Sequence, residues 1–199
     1  AKGMHSMTQT SVTALEKSLS YAGLLNSSKL VLVDNSSPDP YQPEHLNTNV
    51  SKIIVRLDKS HSFSAASNWG ASKLRDSDML LFLNNDVFLH PRAIQAMIQD
   101  KDRLSAGICG LRLVYPNGKI QHMGVGFSSN VAIPHHLNHY EPSSLQPRVS
   151  TYCQAITGAV MLIDSELFLE LEGFDEMFSF CYEDTDFCLR AGGIGKRVI

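Results

Sequence analysis

The sequence predicts an α/β fold, with a mostly parallel sheet flanked by helices and a small antiparallel part in the second half. Two observations predict the parallel part: short apolar runs alternate with segments of helical period, and polar residues follow each run directly. In open α/β sheets, ligands bind beyond such strand ends. A third observation, the turn signal YPNG at residues 115–118, separates two short strand patterns and indicates the antiparallel part.

The first half of the chain alternates helix and strand. Helices are predicted over residues 7–25, over residues 63–74 and from Pro91 onward, because their apolar positions repeat with a helical period and proline suits a first helical turn. Buried strands are predicted at residues 30–33, 52–57 and 79–83. Asp34, Asp58 and Asp86 follow these strands, so right-handed crossovers should bring them to one rim of the sheet.

The second half has shorter elements. Strands are predicted at residues 106–114 and from residues 157–159 into 163. Helices are predicted at 165–171 and, preceded by Glu183-Asp184, through Arg190 to a stop at Gly192-Gly193. Ser165 is the expected N-cap of the first of these helices. Residues 128–150 are interrupted by prolines, and we expect them to form a long loop over the site or a mobile lid.

The composition excludes several classes of protein. The net charge of −3 argues against a general nucleic-acid partner or an anionic membrane partner. No apolar run approaches the roughly 20 residues of a membrane span, and the first residues have no signal-peptide pattern. The cysteines form no CxxC pair, so we expect buried thiols of a reducing compartment. They are Cys109, Cys153, Cys181 and Cys188.

The polar turn Asn84-Asn85-Asp86 could carry chemistry. Mg²⁺ and Mn²⁺ take oxygen ligands, usually one or two carboxylates together with substrate phosphates. Asp86 supplies one carboxylate that Asn85 can support by hydrogen bonds, although a strand-end aspartate can equally cap the next helix. Two other groups of residues can bind a nucleotide or have a purely structural role in a turn or a helix. They are Asp34-Asn35-Ser36-Ser37 and Asn68 with Gly70.

The densest acidic segment is Glu183-Asp184-Thr185-Asp186, with Asp175-Glu176 just upstream. A carboxylate at a helix N-terminus is favoured in its ionised form and can act as a general base, although the same residues also make an ordinary acidic cap. Asp186 and Arg190 are spaced to pair on one helix face. A separate cluster could bind a transition metal or simply be exposed to solvent. It contains His135, His136 and His139.

The order of these segments resembles the family-2 inverting glycosyltransferases of GT-A (Rossmann-like) fold, especially the rhamnosyltransferase-like members. The matching blocks are LVLVDNSS, FSAASNWGAS, LLFLNNDVFLHPRAI, ITGAVMLI and EGFDEMFSFCYEDTDFCLRAGGIGKRVI. The resemblance implies a single GT-A domain over residues 1–199, with a nucleotide-binding half at 1–104 and an acceptor-side half at 105–199. It also implies that the first strand and a C-terminal segment of the family are lacking.

The resemblance implies residue roles. Asp184 would be the general base, with Glu183 beside it, and Asp86 would bind the metal. The residues expected to bind the nucleotide are Asp34, Asn35, Ser36, Asp58, Asn68 and Asn85. The residues expected at the donor and acceptor sugars are Gly158, Asp175, Glu176 and Arg190. The first position of the acidic metal motif is Asn84 here, and Ser60-His61-Ser62 replaces the family's Asn-x-Gly.

The implied activity is transfer of a sugar, with inversion, from a UDP, dTDP or GDP sugar to a glycan or lipid-linked acceptor, using Mg²⁺ or Mn²⁺. The implied setting is polysaccharide or cell-wall biosynthesis in the cytoplasm, with room for peripheral association at the inner membrane face. Two alternatives are a non-catalytic domain that binds nucleotide sugars or glycans, and a zinc-dependent hydrolase built on His135, His136 and His139.

Overall fold

The computed structural model describes residues 4–128 and 133–199. The helices are α1 (Met4–Tyr21), α2 (Phe63–Ala71), α3 (Ala93–Leu104), α4 (Ser165–Glu170) and α5 (Glu183–Gly193). The strands are β1 (Lys29–Asp34), β2 (Ser51–Arg56), β3 (Met79–Leu83), β4 (Ala106–Gly110), β5 (Leu113–Val114), β6 (Ile120–His122), β7 (Val125–Phe127), β8 (Pro134–His136), β9 (Val160–Asp164) and β10 (Arg197–Val198). Helices and strands mostly alternate in the first half, as predicted, except that β2 follows β1 with no α-helix between them.

The central sheet has four strands in the order β10-β4-β9-β3. Strand β9 runs antiparallel to both of its neighbours, whereas β10 runs parallel to β4. Strands β1 and β2 form a separate parallel pair. Outside the central sheet, the pairs β5–β6 and β7–β8 form the small antiparallel part expected in the second half. The α/β class is confirmed, and the sheet is mixed because β9 is inserted between β3 and β4.

The central sheet separates two apolar layers. Met161 and Ile163 of β9 point into a cluster that contains residues of α4 and α5, while Val160 and Leu162 point into a cluster with residues of α1 and α3. This alternation follows from the period of two in a strand. Because β9 is buried on both faces, its sequence VMLID is a nearly continuous apolar run.

The start of α4 differs from the prediction. Asp164, not Ser165, occupies the N-cap position, and its side chain makes no capping hydrogen bond. The Asp164 carboxylate instead lies 2.6 Å from the ammonium of Lys101. Within the described residues, the buried Ser165 hydroxyl has no hydrogen-bond partner. The N-cap prediction was wrong because Ser165 already forms the first turn.

Two other segments also differ from expectation. The strand predicted at 106–114 is divided, with β4 ending at Gly110 and β5 beginning at Leu113. The loop predicted at 128–150 contains β8, which pairs with β7, and a short 3-10 turn at Ser143–Leu145; residues 129–132 lie outside the described residues. The four cysteines are unpaired thiols, as predicted, but only Cys109 and Cys188 are buried; Cys153 is partly buried and Cys181 is exposed, so the prediction of buried thiols was wrong for these two. Among the described residues, no helix is both long enough and apolar enough to cross a membrane.

Candidate active site

The polar turn after β3 is fixed against the residue that precedes β9. The backbone N–H of Asn84 donates to the carbonyl of Ala159 at 2.9 Å, and the N–H of Val87 donates to the carbonyl of Asn84 at 3.2 Å. Asp86 is exposed at this turn. The Asn85 amide donates to the Thr8 hydroxyl at 3.0 Å, so this side chain also holds α1 against the turn.

Asp184 contacts the same segment one residue earlier, at Gly158. Its Oδ2 accepts the backbone N–H of Gly158 at 2.8 Å, and its Oδ1 accepts the N–H of Thr185 at 2.7 Å. A Cβ atom added at Gly158 would lie 3.5 Å from the Cβ of Asp184. Residues 158 and 159 therefore connect Asp184 to the turn that carries Asp86, and both carboxylates lie at the same end of the sheet.

The chain enters α5 through strained backbone. Cys181 and Tyr182 both have left-handed conformations, with φ of 66° and 71°. This turn buries Glu183 to 8% exposure and presents Asp184 at the first turn of the helix. Burial raises the pKa of Glu183, and the neighbouring charge of Asp184 adds to the effect. Asp184 therefore lies at the helix end where the dipole favours a negative charge.

Asp34 is held inside the protein rather than presented at the rim. It is 2% exposed, and it accepts hydrogen bonds from the backbone N–H groups of Ser37 and Tyr41 and from Arg56 Nη1 at 2.7 Å. Burial acts to raise the pKa of Asp34, but the hydrogen bonds from Ser37, Tyr41 and Arg56 outweigh it, so the pKa lies below its ordinary value. In this structure, the carboxylate organises the loop after β1.

The neighbouring residues of the predicted nucleotide site have different surroundings. Asn35 donates to the carbonyl of His61 at 2.9 Å and accepts its N–H at 2.9 Å, which joins the loops after β1 and β2. Ser36 has a left-handed φ of 60°. Asp58 projects into solvent with its side chain 88% exposed. The structure thus brings Asn35 and His61 together but leaves Asp58 at the surface.

Asn68 and Arg190 hold the acidic turn at residues 173–176. The Asn68 side chain donates to the carbonyl of Phe174 at 2.8 Å and to Glu176 at 3.0 Å, and it accepts the N–H of Phe174 at 2.9 Å. Arg190 donates to the carbonyls of Leu171 and Gly173 and to Asp186 Oδ2. Asp175 accepts the N–H of Met177 at 2.8 Å, and the residue itself is exposed. The turn is therefore a preorganised edge of the site.

His122 belongs to the same neighbourhood, and sequence reasoning missed it. It is 2% exposed, its Nε2 accepts the backbone N–H of Thr157 at 3.1 Å, and its Nδ1 lies 2.8 Å from Nδ1 of His136. Burial, together with the charge of His136, lowers the pKa of His122 to about 4. No signal in the sequence marks this residue, because the burial of Ile120 and His122 on either side of the exposed Gln121 is visible only in the structure.

The histidines of the proposed zinc site do not form such a site. Within residues 4–128 and 133–199, no group of three or more His, Cys, Asp or Glu side chains could hold a metal ion. The rings of His136 and His139 have centroids 5.7 Å apart, and the partner of His136 is His122. This arrangement gives the zinc-hydrolase hypothesis no structural support.

Comparison with known proteins adds two relatives by sequence. The chain is 31% identical over 179 residues to the O-antigen biosynthesis protein RfbC of Myxococcus xanthus, covering 86% of this chain and 14% of that protein. It is 25% identical over 181 residues to the uncharacterized protein y4gI of Sinorhizobium fredii (strain NBRC 101917 / NGR234), covering 84% of this chain and 19% of that protein. The chain thus spans less than a fifth of each relative. No protein-family model matches it.

Two solved structures with a similar fold are GT-A glycosyltransferases. GalNAc-T7, crystallised with UDP, GalNAc and Mn²⁺, has a TM-score of 0.58 at 17% identity, covering 85% of this chain and 35% of that chain. S. aureus TarS has a TM-score of 0.56 at 14% identity, covering 96% of this chain and 55% of that chain. The chain therefore has the α/β fold of the GT-A glycosyltransferases. At these identities the likeness concerns the fold, and the activity has to be argued from the site.

Proposed function

We propose that this chain is the catalytic domain of an inverting, family-2 (rhamnosyltransferase-like) glycosyltransferase that moves a sugar from a nucleoside diphosphate donor to a glycan or lipid-linked acceptor during polysaccharide biosynthesis. One observation carries the proposal. The carboxylate of Asp184 accepts the N–H of Gly158, and the carbonyl of the next residue, Ala159, accepts the N–H of Asn84 and so anchors the turn that carries Asp86. The shared GT-A fold and the similarity to an O-antigen biosynthesis protein support it.

Asp184 is the proposed general base. One of its oxygens accepts from Gly158 and the other from Thr185, so the group is oriented by backbone amides at two points. An ionised carboxylate held in this way can take the proton of an acceptor hydroxyl as its oxygen attacks the anomeric carbon. The bond from that carbon to the diphosphate oxygen breaks as the new glycosidic bond forms, which inverts the configuration in a single displacement.

Asp86 is the proposed metal ligand. Its exposed carboxylate supplies the hard oxygen ligand that Mg²⁺ and Mn²⁺ prefer, and a site of one carboxylate completed by substrate phosphates fits the chemistry of these ions. A bound cation would offset the negative charge that builds on the departing diphosphate. The exposed side of the turn at Asn85 and Asp86 is the proposed position of the nucleotide phosphates.

The test is sugar transfer by Asp184→Asn, with Glu170→Gln as a matched control on the exposed surface of α4. We expect the Asp184→Asn variant to bind donor normally, because the amide oxygen can still accept from Gly158 and the amide nitrogen can donate to the Thr185 hydroxyl, at the loss of the hydrogen bond from the Thr185 N–H. Transfer should fall by about 10²- to 10⁴-fold, the usual contribution of general base catalysis. Unchanged transfer would remove Asp184 from the mechanism.

The donor can be identified by thermal-shift screening of UDP, dTDP and GDP sugars with and without Mn²⁺, because a ligand of the native state raises the melting temperature. A shift that needs Mn²⁺ and disappears in Asp86→Ala supports the metal assignment. A shift that is equal without metal contradicts it.

A non-catalytic domain that binds nucleotide sugars is the second candidate. The observation that favours it is the amide residue Asn84 at the first position of the motif, which leaves Asp86 as the carboxylate of the turn. Calorimetry distinguishes the two: nucleotide-sugar binding without transfer or hydrolysis, under conditions where Mn²⁺ is bound, identifies the binding domain.

A further inference from the structure

Two histidine rings lie beside the segment that holds Asp184. His122 of β6 is fully buried and accepts the backbone N–H of Thr157 through Nε2 at 3.1 Å. His136 of β8 is exposed, and its Nδ1 lies 2.8 Å from Nδ1 of His122. The next peptide N–H along the chain, that of Gly158, donates to Asp184 at 2.8 Å. The imidazole pair and the carboxylate therefore contact consecutive peptide groups.

These contacts fix which nitrogens carry protons. A backbone N–H can only donate, so Nε2 of His122 must present its lone pair to Thr157. The neutral ring of His122 then has its proton on Nδ1 and donates it to Nδ1 of His136. With Nδ1 occupied as an acceptor, the neutral ring of His136 carries its own proton on Nε2. A peptide group thus sets the tautomer of an exposed imidazole through a buried one.

The position of His136 indicates what its N–H can bind. The residue is exposed overall but its ring is partly buried against His122, and this partial burial, together with the neighbouring His139, lowers the pKa of His136 below its ordinary value although the negative charge of Asp184 acts to raise it. A neutral donor beside a carboxylate acceptor matches the hydroxyl groups of a sugar, each of which donates and accepts. A phosphate group at this position would be repelled by Asp184.

We propose that His136 donates its Nε2–H to an oxygen of the acceptor sugar whose attacking hydroxyl faces Asp184, and that His122 is a positioning residue that keeps this proton on Nε2. This inference rests on the proposed glycosyltransferase function. It adds an acceptor-recognition residue and a reason why a histidine is buried two residues beyond Ile120 in β6.

The kinetic test compares His136→Gln with His136→Asn. Glutamine can place an amide N–H near the position of Nε2, whereas the asparagine amide reaches only the position of Nδ1. The acceptors are octyl glycosides of glucose, galactose, N-acetylglucosamine and rhamnose, used with the donor found by thermal shift. Gln121→Ala, at the exposed position of β6, is the control.

We expect His136→Asn to raise the KM for the best acceptor about tenfold, the factor for one lost hydrogen bond. The KM for the donor should stay the same, and His136→Gln and Gln121→Ala should stay within about twofold of the wild type for both substrates, in line with the same scale. An acceptor KM that is unchanged in His136→Asn, or a rise shared equally by donor and acceptor, overturns the acceptor role.

The tautomers can be measured without any substrate by long-range ¹H–¹⁵N NMR of the histidine rings. The expected spectrum shows His122 protonated on Nδ1 and His136 protonated on Nε2. His122 protonated on Nε2 overturns the inference even when transfer proceeds. The expected tautomers together with no transfer to any acceptor from any donor overturn the proposed function, and the acceptor role with it, so the two failures are distinguishable.

Discussion

Replacing Asp34 with alanine tests whether this strand-end carboxylate holds the loop or faces the ligand. The side chain accepts from the backbone N–H groups of Ser37 and Tyr41 and from Arg56. Losing the partner of two backbone donors costs about 1 kcal/mol each. The Arg56 side chain is 41% exposed, so losing that ion pair adds no more than about 1 kcal/mol. The expected loss of stability is about 3 kcal/mol.

The control is Asp58→Ala. The sequence predicts the same nucleotide-binding role for both residues, but the Asp58 side chain is 88% exposed. We expect Asp58→Ala to remain within about 0.5 kcal/mol of the wild type. Urea unfolding followed by far-UV circular dichroism gives both values, and for a chain of this size Asp34→Ala should also lower the Tm by roughly 6–12 °C.

The pH dependence of stability gives a second measure of the same carboxylate. The pKa of Asp34 in the folded protein lies below its ordinary value, so its contribution is complete above the unfolded carboxyl pKa. It is lost as the pH falls through the lowered folded value. Asp34→Ala should remove this acid-range slope, and Asp58→Ala should keep it. Equal unfolding midpoints for the two variants, with nucleotide affinity lost only in Asp34→Ala, would refute the loop-holding role and favour direct nucleotide contact.

Three further predictions concern other parts of the chain. The pKa of His122 is about 4 in the folded protein, whereas an unfolded histidine takes up a proton below about pH 6.5. The free energy of unfolding of the wild type should therefore fall by about 3 kcal/mol as the pH is lowered between those values. Urea unfolding of His122→Gln across this range should lack that fall. Gly158→Ala brings a Cβ to 3.2 Å from the ring of Phe63 and should lower the rate of sugar transfer about tenfold. The control Gly192→Ala meets nothing within 4 Å, so it should leave the transfer rate unchanged and raise stability by up to about 0.5 kcal/mol. Equal activities of the two variants in a transfer assay would contradict this. Asp164→Ala should lower stability by about 2 kcal/mol, because the Lys101 side chain is only 10% exposed and its ammonium would lose the carboxylate that compensates for its burial. Lys101→Met removes the buried charge itself and should stay within about 1 kcal/mol of the wild type. A larger loss for Lys101→Met than for Asp164→Ala in urea unfolding would contradict this reasoning.

The fold could be predicted from local signals that are strong in this chain. The five apolar residues of β3 and the periodic residues of α1 and α3 specify their elements directly, and the observed bounds lie within a few residues of those expected. The insertion of β9 between β3 and β4 could not be predicted, because pairing partners far apart in sequence leave no periodic trace. The divided strand at residues 106–114 shows the same limit.

The site was predictable in outline and not in detail. Helix α5 begins at Glu183, so the expectation that Asp184 would stand at a helix N-terminus was confirmed by its position in the first turn. The surroundings of Asp34 and Asp58 could not be separated, since both follow apolar strands and only the return of the loop at Tyr41 buries one of them. His122 was missed because a buried histidine at an apolar strand position looks like any polar residue until its partners are known.

The late position of β9 has a consequence for how the protein is made. All pairings of the central sheet involve β9 or β10, so β3 and β4 acquire their hydrogen-bonded neighbours in this sheet only after residue 160 has left the ribosome. During translation the apolar face and open edges of β3 are available to other nascent chains. We therefore expect expression at low temperature or with a chaperone to raise the yield of folded protein, and slow elongation before codon 160 to lower it.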